Sequence, residues 1–186
     1  GELINTECAR QSLSAFFEIG CATGSFLHYL TENYPALQVS GSDNMDEAVA
    51  LARKINPQLD IHYLDAKRID EKTNLSSIGA FDILEHISDD EAVIEKVYRA
   101  LRPGGLFFIS VPQHRFMWSE LDIKIKHKRR YSRKELRQKL THAGFEIDYM
   151  TSLVVLLFPV MVAHRKAIEF LVKRAPTKNS PPAASE

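Results

Sequence analysis

The sequence predicts an α/β fold of the doubly wound kind, a mostly parallel sheet with helices on both faces. Three observations carry this. Short apolar β-type runs alternate with helical patterns along the chain, and the β-type runs are apolar on both faces, as a sheet covered on both sides requires. The first of them also ends in a glycine-bearing turn, "EIGCATG" (18–24), that leads straight into a helical pattern.

Taken in order, "AFFEI" (15–19), "LQVSGSD" (37–43), "IHYLDA" (61–66), "SSIGAFDI" (76–83), "LFFISVP" (106–112) and "FEIDYMT" (145–151) read as strands. Helical patterns fall at 24–33, 46–55, 89–101 and 132–143. The third opens on Ser88, Asp89 and Asp90 as cap and first-turn acids and closes on Arg102, Pro103 and Gly104. The fourth opens on Ser132 and Glu135 in capping-box spacing and ends at Gly144, a C′ glycine. These are structural signals with no catalytic meaning.

The organisation that follows is a domain over 1–151 with an insertion at about 113–131, an apolar C-terminal helical segment over 152–174 and a disordered Pro/Ser/Ala-rich tail over 175–186. "LVVLLFPVMVA" (153–163) is too short to span a bilayer before His164, Arg165 and Lys166 interrupt it. With its basic flank, the segment to 174 either lies on a membrane surface, covers a lipophilic acceptor, or packs on the sheet or on a second subunit as a homodimer contact.

Composition narrows the function. Among 186 residues, 24 acidic and 24 basic side chains balance, so no global field draws the protein to nucleic acid, and no nucleic-acid partner is expected. The two cysteines, Cys8 and Cys21, lack the pairs a zinc cluster needs, and no metal ligand set is evident. A reducing cytoplasm fits this usage, with no signal peptide at the N-terminus. The chain starts without Met and reaches its first strand early, which fits a missing N-terminal segment.

In "EIGCATG" the strand ends at Glu18-Ile19, Gly20 turns the chain and Gly24 opens the helix. As a dinucleotide fingerprint it fails, because the three glycine slots hold Gly20, Ala22 and Ser25. Glu18 repels a phosphate and favours an ammonium. Asp43, at the end of the second strand, suits the two hydroxyls of a ribose, and Asp65, at the end of the third, suits the exocyclic amine of a purine. Ammonium, ribose and adenine together describe S-adenosylmethionine better than NAD or ATP.

On these residues, and on "AFDILEHISDDEAVIEKVYRALRPGGLFFISVP" and "HKRRYSRKELRQKLTHAGFEI", the chain resembles class I S-adenosylmethionine-dependent methyltransferases over about residues 15–151. The run from "LEHI" to "RPGG" is similar to the ubiquinone-biosynthesis-like branch. The resemblance implies a Rossmann-like fold with Glu18, Gly20, Ala22 and Gly24 along the methionine side of the cofactor. Asp43 would bind the ribose beside Asn44 and Met45, Asp65 and Ala66 would flank the adenine, and Ala80, Phe81 and Asp82 would sit near the sulfonium. S-adenosylhomocysteine is the implied product. Two departures stand out: Ala22 replaces a usual glycine, and Leu75-Ser76 stands where Phe-Asp is common.

For the acceptor, "HRFMWSELDIKIKHKRRYSRKEL" (114–136) occupies the place of substrate-recognition insertions in this fold. Trp118, Arg129, Arg130 and Tyr131 are the candidate acceptor-binding residues, against the alternative of a solvated basic loop. His127, His114 and His86 are the candidate bases, in no fixed order, and His86 serves equally as a structural histidine. The expected function is methyl transfer to an oxygen or carbon of a small or lipid-like acceptor in a cytoplasmic, peripherally membrane-bound or free protein. The alternatives are a binding module without turnover and a nucleotide-dependent oxidoreductase.

Overall fold

The computed structural model describes residues 13–152. Five parallel strands form one sheet: β1 (Ala15–Ile19), β2 (Gln38–Asp43), β3 (Asp60–Tyr63), β4 (Leu75–Phe81) and β5 (Leu101–Ser110), in the order β3-β2-β1-β4-β5. Five α-helices accompany them: α1 (Ser25–Asn33), α2 (Asp46–Ile55), α3 (Asp90–Ala100), the short α4 (Glu120–Lys124) and α5 (Arg133–His142). The chain moves outward from β1 to β3, then crosses back to lay β4 on the other side of β1. Right-handed crossovers therefore put α1 and α2 on one face and α3 on the other, and the strand order reverses between β1 and β4.

Both faces are closed by apolar side chains. Phe16, Leu27, Leu30, Val49, Ala52 and Ile61 cluster under α1 and α2, while Val93, Ile94 and Val97 of α3 are buried. Ser76, at the position where Phe-Asp is common, bonds the start of β1: its hydroxyl donates to the Ala15 carbonyl at 2.6 Å and accepts the Ala15 N–H at 2.9 Å. The substitution thus keeps a polar tie at the base of the sheet.

The helix signals hold in detail. Ser132 and Glu135 form a capping box. At the other end of α5, Phe145 N–H donates to the Leu140 carbonyl and Gly144 N–H to that of Thr141, a Schellman closure with Gly144 at φ 105°.

The elements differ from the sequence reading at several points, β4 ending at Phe81 and β5 at Ser110, each two residues early. The strand expected through Asp65-Ala66 ends at Tyr63, because the Asp65 carboxylate accepts the Lys67 N–H at 2.9 Å and starts a 3₁₀ turn instead. β5 begins at Leu101, five residues before its expected start, with the Arg102–Gly105 turn taken up as an irregularity between the Leu75–Leu101 and Ser77–Leu106 pairs. No sixth strand forms over 145–151 among the described residues. Phe145 spends its N–H closing α5 and its ring packs against Tyr98 and Phe107, at 5.1 and 5.3 Å between centroids. The apolar C-terminal segment from Leu153 and the tail expected after it lie outside the described residues.

Candidate cofactor and acceptor site

The carboxyl ends of β1, β2 and β3 are joined by backbone hydrogen bonds. Gly20 and Cys21 N–H both donate to the Ser42 carbonyl, at 2.7 and 2.9 Å, and Leu64 N–H donates to the Asp43 carbonyl at 3.0 Å. Gly20 is at φ 73°, and a Cβ there would lie 2.0 Å from Ile83 Cδ1. Glycine suits the left-handed turn, and its bare Cα leaves room for the Ile83 side chain from the segment after β4. That contact couples the β1 loop to the end of β4, where Ala80 is buried beside Ile19 in the ladder and Asp82 takes a φ of 53°.

Asp43 is buried at the mouth of the loop. One carboxylate oxygen accepts the Ala22 N–H at 3.0 Å and the other the Met45 N–H at 2.9 Å, so the side chain clasps the β1 and β2 loops together. Each oxygen keeps lone-pair capacity for a further donor. Ala22 sits at φ 46°, in the left-handed region, and is exposed. Asn44 and Met45 are exposed beside it, Asp65 is half-buried and Ala66 buried.

Glu18 is the anomaly of this region. It is 5 % exposed, and its Oε2 has no hydrogen-bond partner among the described residues. Burial pushes its carboxyl up to about 8. Burial, with the Glu18 and Asp43 carboxylates nearby, likewise pushes the Cys21 thiol up to about 12, which leaves it protonated and without a nucleophilic role. A buried carboxylate with an orphaned oxygen lacks a cationic donor, and the ammonium of S-adenosylmethionine is one. With Asp43 and the glycine turn alongside, these residues fit that cofactor.

A second constellation is built from the segment after β4 and the insertion after β5. Glu85 is 0 % exposed and neither carboxylate oxygen has a partner among the described residues. Burial, partly offset by its own backbone N–H, pushes it up to about 7. Lys128 N–H donates to the Glu85 carbonyl at 2.7 Å, which draws the insertion over it and sets His127 Nε2 3.7 Å from Glu85 Oε1. His127 Nδ1 lies 3.0 Å from Asp122 Oδ1. The rings of His86 and His127 meet edge to face at 4.7 Å between centroids. Burial and the neighbouring His127 lower the pKa of His86.

Asp122 is buried and anchors the insertion. Burial raises its pKa, but hydrogen bonds from Arg130 Nε, His127 and Ser119 outweigh this and bring it to about 2. Asp90 does the same one turn into the α3 side: Tyr131 Oη donates to it at 2.6 Å, Lys139 Nζ at 2.7 Å, and Arg129 Nη1 forms an ion pair with it. Burial pushes the Tyr131 hydroxyl far up, Asp90 adding to it.

The three candidate bases are thus not equivalent. His86 and His127 come together around Glu85; His114 stands at the end of β5, its N–H on the Tyr131 carbonyl and its ring 5.3 Å from that of Phe116. Of the candidate acceptor residues, Trp118 is exposed at the surface of the insertion, while Arg129, Arg130 and Tyr131 direct their donors to Asp90, Ser88, Asp122 and Gln113. Sequence reasoning missed Asp90, which looked like an ordinary first-turn acid, and Glu85 and Asp122, whose partners are far away in sequence. A carboxylate between Leu84 and His86, just after an apolar strand, was the one available signal.

Comparison with known proteins agrees with this geometry. The methyltransferase domain family matches residues 6–149. A probable S-adenosylmethionine-dependent methyltransferase of Mycolicibacterium smegmatis is 28 % identical over 134 residues, covering 70 % of this chain and 51 % of its own length. A trans-aconitate 2-methyltransferase of Variovorax paradoxus is 30 % identical over 99 residues, 53 % of this chain and 38 % of its own. A ubiquinone biosynthesis O-methyltransferase of Idiomarina loihiensis is 24 % identical over 99 residues, 50 % of this chain and 40 % of its own. The chain therefore spans about half or less of the length of these relatives. In fold, a putative sarcosine dimethylglycine methyltransferase of Galdieria sulphuraria superposes with a TM-score of 0.71 at 18 % identity, covering 97 % of this chain and 72 % of that one. The chain belongs to the methyltransferase domain family, in its S-adenosylmethionine-dependent class, and carries the Rossmann-like fold of that class.

Proposed function

We propose that the chain binds S-adenosylmethionine across the ends of β1, β2 and β3 and transfers its methyl group to an oxygen or carbon of a small or lipid-like acceptor. The observation that carries the reading is Glu18, a buried carboxylate with one unpartnered oxygen beside a turn clasped by Asp43. Glu18 receives the ammonium, with Gly20, Ala22 and Gly24 beside the methionine chain. Asp43 receives the ribose hydroxyls, Asn44 and Met45 lie alongside, and Asp65 and Ala66 border the adenine. Ala80, Phe81 and Asp82 approach the reacting sulfur.

When bound, the cofactor supplies an electrophilic methyl group on a good leaving group. The protein's task is then chiefly orientation, with removal of a proton where the acceptor is a hydroxyl. The Glu85, His86 and His127 cluster takes that task, and Arg129, Arg130 and Tyr131 act on the acceptor indirectly by holding the insertion that carries His127 and Trp118.

The acceptor is read as apolar. Phe116, Trp118, Leu121, Ile123 and Ile125 are all exposed on the insertion, interleaved with Lys124 and Lys126. Such a surface suits a lipid-like acceptor or the membrane that holds one. Among the described residues no helix is long and apolar enough to cross a membrane, so contact would be peripheral. The "LEHI" to "RPGG" run and the ubiquinone-pathway relative support a place in the ubiquinone-biosynthesis-like branch.

Calorimetry with S-adenosylhomocysteine tests the donor half: Asp43→Ala should weaken binding at least about tenfold, the loss of one charge-assisted hydrogen bond. Unchanged affinity would remove the assignment. A mass-spectrometric search of cell extract for a metabolite labelled from deuterated methyl donor identifies the acceptor.

A further inference from the structure

We infer that Glu85, His86 and His127 form a binding site for a divalent first-row transition cation of the zinc type, on the acceptor side of the proposed donor site. One ligand atom from each of the three lies within 4.8 Å of the others, and the His127 Nε2 to Glu85 Oε1 pair is at 3.7 Å. Ligands about 2.1 Å from a shared ion stand roughly 3.0–3.5 Å apart, so that pair is near its bound spacing and exposed His86 supplies the remaining movement by side-chain rotation.

Two features distinguish this from an accidental cluster. Both oxygens of wholly buried Glu85 face a place where no protein donor among the described residues reaches them. A buried carboxylate left in that state is expensive, and a cation satisfies both oxygens at once. His127, in turn, has an orienting partner for its other nitrogen. Asp122 takes the Nδ1–H of His127, and Asp122 is itself fixed by Arg130 and Ser119. Outer partners of this kind fix the tautomer and aim the remaining lone pair, as metal-bound histidines require.

The donor set selects the ion. Two imidazoles and one carboxylate favour zinc, cobalt or manganese over magnesium or calcium, which prefer all-oxygen shells. Three protein ligands leave a further position for an oxygen of the acceptor. Bound there, an acceptor hydroxyl ionises more readily, its proton passing to solvent, and the cluster acts through the cation rather than as a free imidazole base. That role rests on the methyl-transfer reading; the site itself does not.

The test is titration of the tag-free full chain with Co²⁺ and then Zn²⁺, without methyl donor, following the visible absorption of cobalt. One saturable Co²⁺ per chain, displaced by Zn²⁺ and weakened at least about tenfold in His86→Ala and His127→Asn, is expected. His86 is exposed, so its variant keeps the fold, which circular dichroism checks. Absence of a cobalt spectrum, or wild-type affinity in either variant, overturns the site. Titration with S-adenosylhomocysteine in parallel keeps the two readings apart: cobalt binding without it supports the metal site and removes the donor site, and the reverse removes the metal site alone.

Discussion

Ala22, in a left-handed backbone conformation, donates its N–H to the Asp43 carboxylate at 3.0 Å across twenty-one positions of chain. This bond closes the loop after β1 onto the end of β2. It also explains how an alanine is kept where a glycine would be unstrained, since the clasp selects the one conformation that presents this N–H to Asp43.

The strain is measurable. A non-glycine residue in this region costs about 1–2 kcal/mol, and glycine returns about 0.4–1 kcal/mol of that through greater unfolded-chain entropy. Ala22→Gly should therefore leave stability unchanged or raise it by up to about 1 kcal/mol, whereas Ala22→Val should lower it by about 2 kcal/mol or more, β-branching adding to the strain. Urea denaturation of both variants checks this; a destabilised glycine variant would mean that the alanine methyl makes a contact of its own.

Asp90 should be the most sensitive single site outside the core. It neutralises Arg129 and Lys139 and accepts from Tyr131, all on one buried carboxylate. Asp90→Ala leaves Arg129 with the Ser88 carbonyl, Lys139 with exposed Glu91 and the Tyr131 hydroxyl without its acceptor, and a cost of about 3 kcal/mol is expected. Tyr131→Phe, which removes one hydrogen bond and leaves the ion pairs, should cost about 1–2 kcal/mol. Equal losses in the two variants, by chemical denaturation, would contradict this ordering.

The pH dependence of ligand affinity has a fixed sign. Glu18 is pushed up to about 8 by burial, and only its ionised form attracts an ammonium. Below that pH, binding must release a proton, so affinity for S-adenosylhomocysteine should rise by up to about tenfold per pH unit from pH 6 and level off near 8. Cys21, pushed up to about 12, does not titrate in this window. Calorimetry in two buffers of different ionisation heat should show proton release at pH 7. A flat affinity profile would mean that Glu18 is ionised before the ligand arrives.

The sheet was legible because it depends on local pattern, alternating strand and helix, and so was the placing of Glu18 and Asp43 in the last two residues of β1 and β2. The helix ends at Ser132 and Gly144 were legible for the same reason. What escaped depends on distance. Glu85 and His127 are brought together only because the Lys128 N–H ties the insertion to the Glu85 carbonyl, and Asp90 gathers Arg129, Tyr131 and Lys139 from another part of the chain. Neither set shows a motif spacing. The composition of 145–151 favours a strand, but its first N–H is used to close α5. Local propensity could not reveal that competition.

The assignment of Glu18 to an ammonium is tested most directly by comparing two ligands in two proteins. S-adenosylhomocysteine carries the amino-acid end, and 5′-methylthioadenosine lacks it while keeping the ribose and adenine. The wild-type chain should prefer the first, and Glu18→Gln should erase about ten- to hundredfold of that preference, as expected for a hydrogen bond to a charged group, while binding the second ligand unchanged. An identical preference in both proteins would contradict the role given to Glu18.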